Sequence, residues 1–153
     1  MRYKLLGKSG LRVSELCLGT MTFGEDWGWG ASPEESRKVY DTFLEAGGNF
    51  IDTANVYTNG TSERLLGEFL HGQRERIVLA TKYTNAAPGT DPNAAGNQRK
   101  SMVQALEASL KRHCPEGAVS CRVWGGKRFS RNCGANGLTQ KSPRDSFAAH
   151  LPM

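Results

Sequence analysis

Hydrophobic residues along this chain fall into short runs and into stripes spaced three or four apart. Two of the runs, Tyr3-Lys4-Leu5-Leu6 and Leu11-Arg12-Val13, flank Gly7-Lys8-Ser9-Gly10. They predict a β-hairpin with a glycine-rich turn. Glu15 to Gly19, Asn49 to Ile51 and Ile77 to Ala80 predict three more strands. The last is an uninterrupted apolar run, the pattern of a strand buried on both faces. The stripes are Val39, Tyr40, Phe43, Leu44, then Leu65, Leu66, Phe69, Leu70, then Met102, Val103, Leu106, Leu110. Each predicts one apolar helix face. Ser32-Pro33-Glu34-Glu35 supplies a cap, a proline at the first turn and a capping-box glutamate, and Gly47-Gly48 ends that helix. The second helix is predicted from about Ser62 to Leu70. The third runs from about Asn97 to Arg112, after the polar loop Pro88 to Asn93. A hairpin followed by three βα units argues for a parallel α/β fold with right-handed crossovers.

After Arg112 the pattern stops. No run of four aliphatic residues follows, and Gly, Ser, Asn, Arg and Cys dominate. The chain therefore divides into a patterned part, 1–112, and an unpatterned tail, 113–153, expected to be disordered. A shifted reading frame after Arg112 would produce such a change, and the source DNA would reveal it.

Charge does not alter this picture. The net +5 concentrates in the tail: residues 1–112 carry 14 Lys/Arg and 13 Asp/Glu, residues 113–153 carry 6 and 2. Nucleic acid is therefore not the expected partner. No apolar stretch has membrane-span or signal-peptide length, which predicts a cytoplasmic protein. Cys17, Cys114, Cys121 and Cys133 contain no C-x-x-C pair, so no metal site is expected and Cys17 is expected to pack in its strand. Gly7-Lys8-Ser9 lacks the upstream glycine of a phosphate loop, since Arg2 stands there. Asn59-Gly60-Thr61 matches a glycosylation sequon but reads as a turn. Trp27-Gly28-Trp29-Gly30 is a loop whose indoles either meet a planar ligand or cover apolar surface.

The candidate chemistry sits where two runs end. Phe50-Ile51-Asp52-Thr53-Ala54-Asn55-Val56-Tyr57 delivers a carboxylate and a phenol, and Ala80-Thr81-Lys82 delivers an amine. Parallel sheets place functional groups at such ends. A phenol titrates near pH 10 and alone is a poor acid at neutral pH. A neighbouring ammonium favours its ionised form. Lys82 is the candidate for that service to Tyr57, and Asp52 the candidate to hold Lys82. Such an acid would protonate an oxygen as negative charge develops there, as carbonyl reduction requires. The hydride would have to come from a cofactor. The alternative is a purely structural Asp–Lys pair beside a core tyrosine, and spacing does not separate the two.

Residues 1–112 resemble the N-terminal part of an aldo-keto reductase, closest to bacterial members related to potassium-channel β subunits. The resemblance rests on Leu6 to Ser14, Leu18-Gly19-Thr20-Met21-Thr22-Phe23-Gly24, Phe50 to Tyr57, Ser62-Glu63-Arg64-Leu65-Leu66-Gly67 and Ala80-Thr81-Lys82. It implies a (β/α)8 TIM barrel, here only its hairpin and three βα units, with the hairpin plugging the base. It implies NADPH as cofactor and small aldehydes or ketones as substrates. It makes Tyr57 the general acid, Lys82 the group that tunes it and Asp52 the partner of Lys82. Gly19, Thr20 and Met21, with Asp52, would lie along the nicotinamide ribose. The family's catalytic histidine ends a fourth strand. His71, His113 and His150 do not match it. A whole barrel needs about 250 residues, against 153 here. Impaired activity is therefore expected of this chain, with self-association through its open sheet edge. The alternative is a non-catalytic fragment, or half of a barrel completed by a partner.

Overall fold

The computed structural model describes residues 1–85 and 91–113. The expected disorder of the tail, its three cysteines and His150, and residues 86–90 before the third helix lie outside the described residues. Strands β1 (Tyr3–Leu5) and β2 (Arg12–Ser14) form an antiparallel hairpin, with Tyr3 opposite Ser14. A parallel sheet follows in the order β3 (Leu18–Gly19), β4 (Phe50–Asp52), β5 (Val78–Ala80). Helices α1 (Pro33–Glu45) and α2 (Thr61–Phe69) connect these strands, and α3 (Arg99–His113) follows β5. This is the predicted hairpin plus three βα units, a parallel α/β arrangement with no closed barrel among the described residues. None of the described helices is long and apolar enough to cross a membrane.

Helix α1 starts as its sequence dictates. Ser32 Oγ accepts from Glu35 N–H at 3.2 Å, and Glu35 Oε2 accepts from Ser32 N–H at 3.1 Å. Its buried face meets α2 and the sheet around Phe23, Tyr40, Ile51, Leu65, Leu66, Phe69, Leu70 and Ile77. Tyr40 and Phe69 pack with ring centroids 5.4 Å apart. The sequon is a turn: Thr58 and Asn59 take positive φ (46° and 54°) just before α2.

The hairpin docks at the foot of the sheet. Ser14 N–H donates to Asn49 Oδ1 at 2.7 Å, and Asn49 N–H returns to Ser14 Oγ at 3.2 Å. Asn49 precedes β4, so the hairpin lies at the end opposite Asp52.

Several expectations need correction. The first strand of the parallel sheet is shorter than Glu15–Gly19, because its ladder with β4 begins at Leu18. Cys17 falls outside it and is exposed. β5 is only partly buried rather than covered on both faces. Val39 lies on the exposed side of α1. The stripe on α3 is not its buried face: Ser101, Ser109 and His113 are buried while Met102 is exposed. Among the described residues α3 packs on α2, where Arg112 bonds to buried Glu63. At the crossing point a Cβ on Gly67 would lie 2.2 Å from the Arg112 carbonyl oxygen. His113, expected in the tail, is the last residue of this helix.

Candidate active site

Register creates the site. Gly19 lies beside Asp52, and Asp52 beside Ala80. Backbone bonds then carry the three strand ends upward in step. Thr20 N–H donates to Asp52 O at 3.0 Å, Thr53 N–H to Ala80 O at 2.9 Å, and Asn55 N–H to Lys82 O at 3.2 Å. Alternation along an extended chain sends Thr81 and Lys82 to opposite sides.

Lys82 Nζ donates to Asp52 Oδ2 at 2.6 Å, Thr53 O at 2.9 Å and Tyr57 Oη at 3.3 Å. An ammonium has three N–H donors, so each has an acceptor here. Tyr57 Oη accepts from the lysine. The ammonium also stands 5.0 Å from the Tyr57 ring centroid. Partial burial pulls the Lys82 pKa down, but the hydrogen bonds and charges of Asp52 and Tyr57 outweigh it and hold the value above that of an ordinary lysine. The Lys82 and Asp52 side chains remain 49% and 38% exposed. A pair this open adds little stability; its consequence is orientation.

Gly19, Thr20 and Met21 divide their tasks. Gly19 is exposed, and a Cβ there would meet nothing within 4 Å. Met21 is 47% exposed. Gly19, paired with Asp52 across the sheet, leaves open space beside that strand end. Thr20 is fully buried, and its hydroxyl donates to Asp52 O at 3.1 Å. Its side chain fixes the loop rather than facing outward. Burial pushes the nearby Cys17 thiol up, with Asp52 adding to the rise and Lys82 opposing it.

Two supports escaped the sequence reading. The first is a buried hydroxyl cluster under the site. Ser62 Oγ lies 2.8 Å from Thr20 O and 3.0 Å from Thr53 Oγ1. Ser62 N–H donates to Thr58 Oγ1 at 3.0 Å, and that hydroxyl donates to Phe23 O at 2.6 Å. The second is Glu63, a fully buried carboxylate. It accepts from Thr81 Oγ1 and from Arg112 Nε, both at 2.6 Å. The signal for the first was a run of Ser and Thr around Asp52 and Tyr57. Glu63 stood in the stretch Ser62 to Gly67 that carries the family resemblance, but nothing local marked it as a buried anchor.

The indoles of Trp27 and Trp29 pack on each other with centroids 5.4 Å apart. Trp27, Asn55 and Val56 line one wall of a cavity of about 510 Å³ whose other wall includes Ser101, Gln104 and Arg112. Asp52, Tyr57 and Lys82 do not line it. His71 is exposed, His113 is buried, and neither bonds to Asp52, Tyr57 or Lys82. No group of His, Cys, Asp and Glu suited to a metal ion occurs among the described residues.

Residues 15–114 match the family model "Aldo/keto reductase family". The chain is 46% identical over 112 residues to norsolorinic acid reductase stcV of Emericella nidulans, covering 67% of this chain and 29% of that protein. It is 40% identical over 123 residues to the putative aryl-alcohol dehydrogenase AAD6 of Saccharomyces cerevisiae, covering 72% and 58%. Among solved structures, aldo-keto reductase AKR11C1 from Bacillus halodurans, described as the holo form, superposes with a TM-score of 0.64 at 34% identity, covering 74% of this chain and 36% of that one. The chain thus spans roughly a third of most of these relatives.

Proposed function

The chain belongs to the aldo/keto reductase family, and from that premise we propose that Asp52, Tyr57 and Lys82 carry the proton-transfer half of an NADPH-dependent carbonyl reduction. The observation that supports this most is the set of three acceptors around Lys82 Nζ, which leaves the Tyr57 proton free to donate. NADPH, held along Gly19, Thr20, Met21 and Asp52, would supply the hydride that reduces an aldehyde or ketone. Tyr57 Oη gives its proton to the carbonyl oxygen as charge develops there, yielding the alcohol. Lys82 stays bonded to that phenolic oxygen and stabilises the negative charge left on it. Asp52 keeps Lys82 charged and aimed. Solvent then returns a proton to Tyr57.

The residues present fit the cofactor. Gly19, beside Asp52 in the sheet, offers open backbone, and Met21, two residues on, offers an exposed apolar side chain. Aromatic carbonyl compounds are the proposed substrate class. Relatives named norsolorinic acid reductase and aryl-alcohol dehydrogenase support it, as do the paired indoles of Trp27 and Trp29. The proposal includes a cytoplasmic location.

Aldehyde-dependent oxidation of NADPH, measured with an aromatic aldehyde, tests the reading. Replacing Tyr57 with Phe should lower turnover about 10²- to 10⁴-fold while cofactor binding persists; equal rates in both proteins would end it. The open sheet favours a second reading. With three parallel strands and a partly exposed β5, this stretch would act only once further strands complete the barrel, from a longer chain or a partner. It predicts neither turnover nor saturable NADPH binding by the 153-residue chain alone, with self-association through the β5 edge.

A further inference from the structure

We propose that Glu63 is a positioning residue for Lys82, acting through the hydroxyl of Thr81. The inference goes beyond the proposed reduction and rests on that reading only for the meaning of Lys82. Thr81 and Lys82 are neighbours that leave the chain on opposite sides. Lys82 reaches Asp52, Thr53 and Tyr57 on one side. On the other, Thr81 Oγ1 donates to Glu63 Oε1 at 2.6 Å. The backbone around them is held at alternate carbonyls, Ala80 O by Thr53 and Lys82 O by Asn55. The Thr81 side chain supplies the missing hold between these two points.

Glu63 is suited to be the fixed end of that link. It is fully buried near the start of α2, and its second oxygen accepts from Arg112 Nε at 2.6 Å across 49 residues. Arg112 is held in turn by its place on α3 and lies 3.3 Å from Ser109 Oγ. A buried carboxylate with two hydrogen-bonded partners, one of them a cation, has little freedom to move. Two helices therefore grip the strand end that presents the amine. An exposed threonine has no packing reason to be so held, and a surface glutamate at this position of α2 would leave Thr81 and Lys82 tethered by backbone alone.

Lys82 reactivity tests this without any turnover. Brief labelling of the folded chain with limiting acetic anhydride, resolved by peptide mass spectrometry, gives the acetylation rate of Lys82 relative to exposed Lys8. Replacing Thr81 with Val removes the hydroxyl at nearly constant shape and should speed Lys82 labelling about three- to tenfold, the equivalent of one lost hydrogen bond. Thr81→Ser should restore the wild-type rate. Asp52→Asn serves as the sensitivity control and should also speed labelling. Unchanged Lys82 labelling in folded Thr81→Val, with a response in Asp52→Asn, would overturn the proposal, as would failure of Thr81→Ser to restore protection. If Thr81→Val does not fold by circular dichroism, Thr81→Ala takes its place under the same criteria. A protected Lys82 in a chain that oxidises no NADPH would support the positioning role while counting against the reductase reading, so the two fail separately.

Discussion

Asp52 and Lys82 meet at 2.6 Å although 30 residues separate them. Two parallel strands in register are the whole reason. β4 ends on Asp52 opposite Ala80, the last residue of β5, and Lys82 follows two residues later on the same side. The carboxylate then holds an amine that also reaches Tyr57.

Asp52→Asn should therefore act through Lys82 rather than through lost stability. It removes the carboxylate charge and weakens one of three bonds on Nζ while the open rim remains solvated. In a complete barrel, kcat/KM should fall about 10- to 100-fold, and the melting temperature should barely move, since an exposed pair contributes about 0–1 kcal/mol. Steady-state kinetics beside a thermal melt separates the two effects. A large loss of stability with unaltered kcat/KM would contradict the assignment.

Ser62→Ala should cost more than the loss of one small side chain suggests. It removes the centre of the buried cluster and leaves Thr53 Oγ1 and Thr20 O without that partner. Orphaned buried groups cost about 1–3 kcal/mol. Urea unfolding would read this as a lowered midpoint at constant slope. Because Thr53 bonds to Ser62 through Oγ1 and accepts from Lys82 Nζ through its carbonyl, Lys82 acetylation should also rise.

Gly67→Ala sets two effects against each other. Alanine gains about 1 kcal/mol in helix propensity. Its Cβ would, however, fall 2.2 Å from the Arg112 carbonyl oxygen, a backbone atom that cannot swing away. The clash should win, with net destabilisation of about 1–3 kcal/mol from separating α2 and α3. An unchanged or raised urea midpoint would show that the helices do not cross here.

His113 predicts a dependence on acid. Burial lowers its pKa from 6.5 to about 4; Arg74 and Arg112 push the same way, and Glu63, 3.7 Å from Nε2, partly opposes them. The unfolded chain takes up the proton first. The contribution of neutral His113 is therefore fully present above about pH 6.5 and fades as pH falls toward 4, by roughly 3 kcal/mol in all. Urea midpoints at pH 7 and pH 4.5 should drop further in the wild type than in His113→Gln. Parallel losses in both would remove His113 from the account.

Much of this was legible along the chain. Ser32, Pro33 and Glu35 marked the start of α1, because capping is decided by residues within one turn of each other. The hairpin, the three parallel strands and the candidates Asp52, Tyr57 and Lys82 could be read because apolar runs ending on ionisable residues are local patterns. Helix α3 was misread for the opposite reason. Its stripe from Met102 to Leu110 is a genuine periodicity, yet Ser101, Ser109 and His113 face inward, because the partner among the described residues is a helix that comes close at Gly67.

The sequence by itself determined the order of elements, their periods and the residue types waiting at the strand ends, since propensity, capping and alternation act over a few residues. Only the tertiary structure decided that Lys82 has three acceptors, that Glu63 is buried against Thr81 and Arg112, and that a serine and three threonines form one cluster below the site. Those facts depend on strand register and helix crossing, which join residues far apart in the chain and leave no mark in any short stretch of it.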